Sequence, residues 1–277
     1  MMGSYKNAYA LLEQVRKGIN EYSTAYAQGT DTTGAFDNVD IMDKINESQM
    51  FLYDALLIRD PSLFFKSIAL TGVSSVYTPP ADFYRPRRIE DAAGRRLTRI
   101  TIDQRHQFIA EGSSFLYYPY GKTFILDKDG SSDMLTLYYV SRCRRLHSGM
   151  SSAGGALSLT LEAATARKEA DYYNGMMIEN VTDNWFDTIS DYTAAQVATL
   201  AVQTGAASKY YGLISELPED FHSLIGPKAI LLMKESHKAL KSPTRQEADN
   251  FKDAMNTRFQ SYFGTADTDV DMMELFL

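Results

Sequence analysis

The sequence predicts an α+β protein. A helical bundle formed by the N- and C-terminal helices carries an inserted antiparallel β module (a sandwich or small barrel) and a second small β-rich insertion. Three observations predict this. Apolar residues recur at three- and four-residue steps near both ends of the 277-residue chain. Between Val73 and Val140 the period falls to two, in short runs separated by Gly, Pro and Asp. The small-residue stretch Ser148–Gly155 (SGMSSAGG) then reads as a linker before more β-like sequence. The expected division is 1–72 for the first helices, 73–147 for the β module and 148–215 for the linker and second insertion. Residues 216–264 form the last helices, and 265–277 an extended tail.

In order, Tyr5–Ala27 reads as a helix on the stripe Ala8, Leu11, Leu12, Val15 and Ile19, followed by the polar loop Gly29–Gly34. Phe36–Arg59 is the clearest helix. Asp37 can cap it with Asp40 three residues on, Phe36 and Ile41 have staple spacing, and Ile41, Ile45, Ser48, Leu52 and Leu56 share one face. Asp60-Pro61 ends it and can start a short helix over Leu63–Ala69. Val73–Tyr77 alternates until Pro79-Pro80, and Ala81–Arg88 reads as a loop or short extended segment. Further strands are expected at Leu97–Ile102, Gln107–Ala110, Ser114–Tyr118, Thr123–Leu126 and Met134–Val140, then at Met176–Glu179, Trp185–Ile189 and Val197–Val202. Helix resumes over Glu219–Leu240, with a kink or break at Gly226-Pro227. A last helix starts at Ser242-Pro243 and ends before Gly264.

Chemical motifs are scarce. Neither GxxxxGK[ST] nor GxGxxG is present, no GxSxG elbow offers a serine nucleophile, and the four histidines have no metal-ligand spacing. Asp127–Gly130 begins like a calcium loop, but Tyr138 stands where the closing glutamate belongs, so a hairpin turn is expected. Cys143 is the chain's single cysteine and reads as a buried structural residue. No catalytic, cofactor or metal site is therefore expected. No apolar run is long enough to cross a bilayer, and the amphipathic N-terminus is not a secretory signal, so no membrane partner is expected.

The arginines are distinctive. The net charge is −7, yet residues 81–150 hold twelve Lys and Arg against eight Asp and Glu. Arg87, Arg88 and Arg96 belong to this block. Contacts to an acidic neighbouring subunit and contacts to phosphates both suit them. The last thirteen residues, TADTDVDMMELFL, are acidic and end in apolar side chains. They read either as a frayed terminus or as a peptide that docks Met272, Met273, Leu275, Phe276 and Leu277 into another subunit.

Three segments, taken in order, resemble the head-to-tail adaptor (connector) proteins of tailed bacteriophages. Ile45–Leu57, INESQMFLYDALL, followed by Asp60-Pro61, is similar to an early family helix with an IN-x-(A/S)-Q run. Val76–Ile89, VYTPPADFYRPRRI, resembles the start of the adaptor β region, with Pro79 where that family favours Leu. Asp171–Leu200 is similar to a phage-protein module with a DYYNG turn and a later I-(S/T)-DY run, here Tyr172-Tyr173-Asn174-Gly175 and Ile189–Tyr192. Glu216–Lys228 looks like the resumption of the adaptor helices. The resemblance implies a structural virion protein: a homo-dodecameric ring at the head–tail interface, assembled in the host cytoplasm. Its implied partners are the portal protein, a tail or nozzle protein, and double-stranded DNA that passes through the lumen without specific binding. In such a ring Met42, Gln49 and Tyr53, with Arg87, Arg88 and Arg96, are the expected subunit contacts. Tyr172, Tyr173, Trp185 and Tyr192 are the expected surface for a tail component, and the terminal apolar residues reach the portal. The alternatives are another phage tail or receptor-contacting structural protein, and a nucleic-acid-binding module.

Overall fold

A computed structural model describes residues 5–21, 36–70, 76–104, 115–120, 123–128, 135–163, 165–203, 205, 207–237 and 240–264. The protein is α+β, with four helices and a curled antiparallel sheet among the described residues. It divides into two compact units. One comprises residues 1–58 and 143–277, and the other is the intervening 59–142. The expected second β-rich insertion thus belongs to the same unit as the helices.

In the two-segment unit, α1 (Ala8–Gly18) starts at Asn7, whose side chain accepts from the Ala10 N–H at 2.7 Å. It is shorter than Tyr5–Ala27, since Ile19 caps it and Asn20 turns the chain with φ 61°; residues 22–35 lie outside the described residues. α2 (Asn38–Arg59) begins where Asp37 accepts from the Asp40 N–H at 2.8 Å, and Ile41, Ile45, Ser48, Leu52 and Leu56 are all fully buried. α3 (Glu219–Ser236) runs unbroken through Pro227. The expected break is absent because the helix is packed on both sides, by α1 and by α4 (Arg245–Phe263). Gly226 is required by packing: a Cβ there would lie 2.5 Å from the Gln14 side chain. α4 is capped by Thr244 in a full capping box with Glu247, two residues beyond the expected Ser242, because TRQE places the glutamate at the third helical position.

The same unit carries a seven-stranded antiparallel sheet. Its strands are β8 (Ser148–Met150), β9 (Ala153–Gly155), β10 (Ser158–Thr160), β11 (Met177–Asn180), β12 (Trp185–Tyr192), β13 (Val197–Leu200) and β14 (Tyr210–Leu213). Their order is β8-β14-β11-β12-β13-β10-β9. The expected linker at 148–155 is therefore two sheet strands. Its Ser, Gly and Ala side chains carry no alternation, but its backbone pairs with β14 and β10.

The inserted unit contains seven strands. The expected helix over Leu63–Ala69 is instead a single 3-10 turn, Pro61–Phe64, capped by Asp60, followed by β1 (Phe65–Leu70). Six register pairs with β7 (Leu135–Ser141) override any local helix preference. β2 is Val76–Tyr77. The expected loop at Ala81–Arg88 is mostly β3 (Phe83–Glu90), on the other side of β7, and Pro86 is tolerated at this edge position. β4 (Thr98–Arg99) pairs in parallel with β5 (Phe115–Tyr120), so the module is not wholly antiparallel. β5 forms a hairpin with β6 (Thr123–Lys128). The expected strand Gln107–Ala110 lies outside the described residues. The β1-β7-β3 and β2-β6-β5-β4 sheets share one core built on Leu70, Tyr77, Ile89, Tyr117, Phe124 and Leu137.

Candidate functional site

The polar groups that α2 turns inward are spent on the segment just after the inserted unit. Asn46 donates to the Leu146 carbonyl at 3.1 Å and accepts from the Leu146 N–H at 2.6 Å. Gln49 Nε2 donates to the Arg144 carbonyl at 2.7 Å, and Ser48 Oγ donates to the Ile225 carbonyl of α3 at 2.7 Å. Arg144 itself is only 4% exposed. Its Nε and Nη2 grip Glu216 at 3.0 and 2.6 Å, a fork-to-fork pair. Its Nη1 donates to the carbonyls of Tyr172 (3.2 Å) and Asn174. The Arg145 N–H donates to the Tyr172 hydroxyl at 3.0 Å.

This knot joins the INESQ run, the YYNG turn and the segment beginning at Glu216. Three of the four segments that carry the phage resemblance therefore meet around one buried guanidinium. Sequence reading grouped Arg144 with the other mid-chain arginines. The available signal was Glu216, an acidic residue ahead of a helix whose first turn already holds Glu219 and Asp220.

The YYNG turn has its own local logic. Asp171 (φ 62°) and Gly175 (φ 80°) adopt left-handed conformations at its two ends. The Asp171 N–H donates to the Tyr192 carbonyl at 2.7 Å and the Gly175 N–H to the Ile189 carbonyl at 2.6 Å. The Tyr173 ring stands edge-on to Tyr172 (4.9 Å) and Tyr192 (4.8 Å). Tyr173 and Tyr192 are each 1% exposed, so neither offers a surface to a tail component. Burial pushes the Tyr173 phenol up, and that of Tyr192 up to about 12. Tyr172 and Trp185 remain half-buried, Trp185 at the start of β12 opposite Asn180.

The expected subunit contacts divide similarly. Gln49 and Tyr53 are 0% and 1% exposed, so they are core residues and cannot form an exposed contact stripe. The apolar pattern missed this because α2 is covered over a wide arc that includes Asn46 and Gln49, and polar burial there depends on partners distant in sequence. Met42 is half-buried, Arg88 half-buried, and Arg87 and Arg96 exposed. Arg88 and Arg96 both face Glu90, with Nε–O distances of 2.9 and 3.8 Å. Met272, Met273, Leu275, Phe276 and Leu277 lie outside the described residues.

A cavity of about 700 Å³ opens within the two-segment unit, lined in part by Arg16, Asp43, Arg145, His147, Glu162 and Lys168. Arg16, 1% exposed, anchors one wall by donating to Asn38 Oδ1 (2.6 Å) and the Phe36 carbonyl (3.1 Å). His147 forms the opposite polar element. Tyr211 Oη lies 3.0 Å from its Nδ1, and Nε2 lies 2.7 Å from Thr165 Oγ1. Burial pushes the imidazole down to about 4, so the neutral ring accepts from Tyr211 and donates to Thr165. Tyr211 Oη in turn accepts from the Glu162 N–H at 2.8 Å. The chain Thr165–His147–Tyr211–Glu162 fixes β14 against the 162–165 loop. Among the described residues, no three His, Cys, Asp or Glu side chains group so as to hold a metal ion. No described helix is long and apolar enough to cross a membrane.

In searches against protein-family models and against curated proteins, nothing matches the chain.

Proposed function

We propose that the protein is a structural component of a tailed-phage virion, a head-to-tail adaptor whose copies form a homo-dodecameric ring between portal and tail. One observation carries this reading. The INESQ, YYNG and Glu216 segments, far apart in the chain, meet through Asn46, Gln49, Tyr172, Asn174 and Glu216 around Arg144. Segments resembling one family in sequence order and also mutually dependent in space are what a shared architecture requires. In that architecture the terminal helices make the bundle of the ring, and the inserted β unit projects from it. The ring joins the portal to a tail or nozzle protein and lines part of the conduit for double-stranded DNA. The overall negative charge, −7, favours passage over retention of the phosphates.

The test is negative-stain microscopy of the purified protein with and without portal. The expected result is a ring that seats under the portal. Monomers under all conditions, or a ring indifferent to portal, would sink the adaptor reading. Removing Asp271–Leu277 is expected to weaken portal attachment and leave the subunit folded. A second reading, a tail or receptor-contacting virion protein, draws on the YYNG module; it gains if the rings bind a tail component and not the portal.

A further inference from the structure

The inserted unit presents three arginines whose guanidiniums are held by aromatic rings. Arg87 lies over Phe65, with its central carbon 4.9 Å from the ring centre. Arg142 and Arg85 flank Tyr84 at 5.6 and 6.0 Å. All three arginines are exposed, and Phe65 and Tyr84 are 45% and 44% exposed. Among the described residues none of the three has a carboxylate partner, whereas Arg88 and Arg96 have Glu90, Arg95 has Asp91 and Arg144 has Glu216. The strand geometry builds this face. β3 shifts register against β7 between Phe83 and Arg85 and again between Pro86 and Arg88. Tyr84 and Arg87 are thus extra residues in the ladder, and such bulges re-aim side chains.

A guanidinium stacked on a ring keeps its in-plane N–H fork available for an anion. Single-stranded nucleic acid fits poorly, because the rings it would stack on are already covered by arginine. An acidic peptide fits, and the chain contains one. Residues 265–277 hold Asp267, Asp269, Asp271 and Glu274 and no Lys or Arg. In extended form Asp267, Asp269 and Asp271 line one edge, with Thr268, Val270 and Met272 on the other. A segment carried by the chain, or by a neighbouring copy, meets the face at high effective concentration. We infer that the Arg85/Arg87/Arg142 face is a docking site for the acidic stretch Asp267–Asp271, which leaves the terminal apolar residues free for a separate partner. This inference does not depend on the adaptor reading.

The test uses the full chain with the photo-cross-linker p-benzoylphenylalanine in place of Ser67, an exposed residue opposite Tyr138 on the β1–β7 ladder. Mass spectrometry should place the main cross-link within 265–277. Replacing Arg85→Glu and Arg87→Glu together should cut that yield about tenfold or more, the scale of losing a charge-assisted hydrogen bond. Adding Asp269→Lys and Asp271→Lys should restore it, which misfolding of the arginine variant could not do. Cross-links that map elsewhere, an unchanged yield in the arginine variant, or no recovery on charge exchange would overturn the proposal. So would a short duplex DNA that binds the full chain through the same arginines and displaces no cross-link.

Discussion

Two arginines, Arg144 and Arg87, sit 57 positions apart in the same basic region of the sequence and have opposite fates. Arg144 is 4% exposed, clamped to Glu216 and to two carbonyls. Arg87 is exposed and touches only the face of Phe65 among its described ring and charge contacts. The difference is not one of residue type. The chain re-enters the two-segment unit at Cys143, so Arg144 meets α2, the YYNG turn and Glu216 together. Arg87 sits at a bulge on an edge strand. A buried arginine with a full set of acceptors organises a fold, whereas an exposed one over a ring leaves its hydrogen-bonding capacity for something else.

The comparison can be broken most sharply at Arg144. Arg144→Ala leaves Glu216 and two buried carbonyls without their donor, and should cost about 3–5 kcal/mol in urea-melt stability. A loss under about 1 kcal/mol would show that water replaces the guanidinium and that the knot is not a fold determinant.

A second break concerns His147. Its folded-state value, about 4, is below the unfolded value near 6.5, so the native state binds fewer protons between the two. Its contribution is fully present above about pH 6.5 and is lost as pH falls through about 4, on the order of 3 kcal/mol in all. Urea melts of wild type and His147→Gln across pH 7 to 4 should converge as pH falls. A constant difference would assign the pH dependence to other groups.

Gly175→Ala tests the YYNG turn. At φ 80° an alanine is strained, and a loss of about 1 kcal/mol is expected, with little change at a site of negative φ. The smallest effect should come from Arg87→Ser, within about 0.5 kcal/mol in thermal unfolding, since an exposed cation–π contact is weak. A large loss there would erase the contrast with Arg144.

Much of the helical framework was legible in the sequence because each helix carries its own signal. Asp37 caps α2, and the Ile41, Ile45, Leu52 and Leu56 stripe is buried. The β5–β6 hairpin was legible too, from alternation on both sides of the Gly121 turn. The site was less so. Gln49 and Tyr53 lie next to the apolar stripe, and nothing in α2 shows that a second neighbour covers them. Tyr173 and Tyr192, read as surface residues, are stacked core because Asp171 and Gly175 fold the turn back onto β12. In both cases the deciding partner is remote in sequence.

The sequence by itself determined where backbone choices are local: the caps at Asn7, Asp37 and Thr244, the Asp60-Pro61 stop, and the apolar faces of the long helices. Tertiary structure alone decided the rest. Pairing with β7 made Phe65–Leu70 a strand, pairing with β14 and β10 turned a glycine-rich linker into sheet, and the re-entry at Cys143 buried one arginine of a basic cluster. The physical reason is the same each time. Backbone ladders and buried charges draw their stability from partners tens of residues away, which no local pattern records.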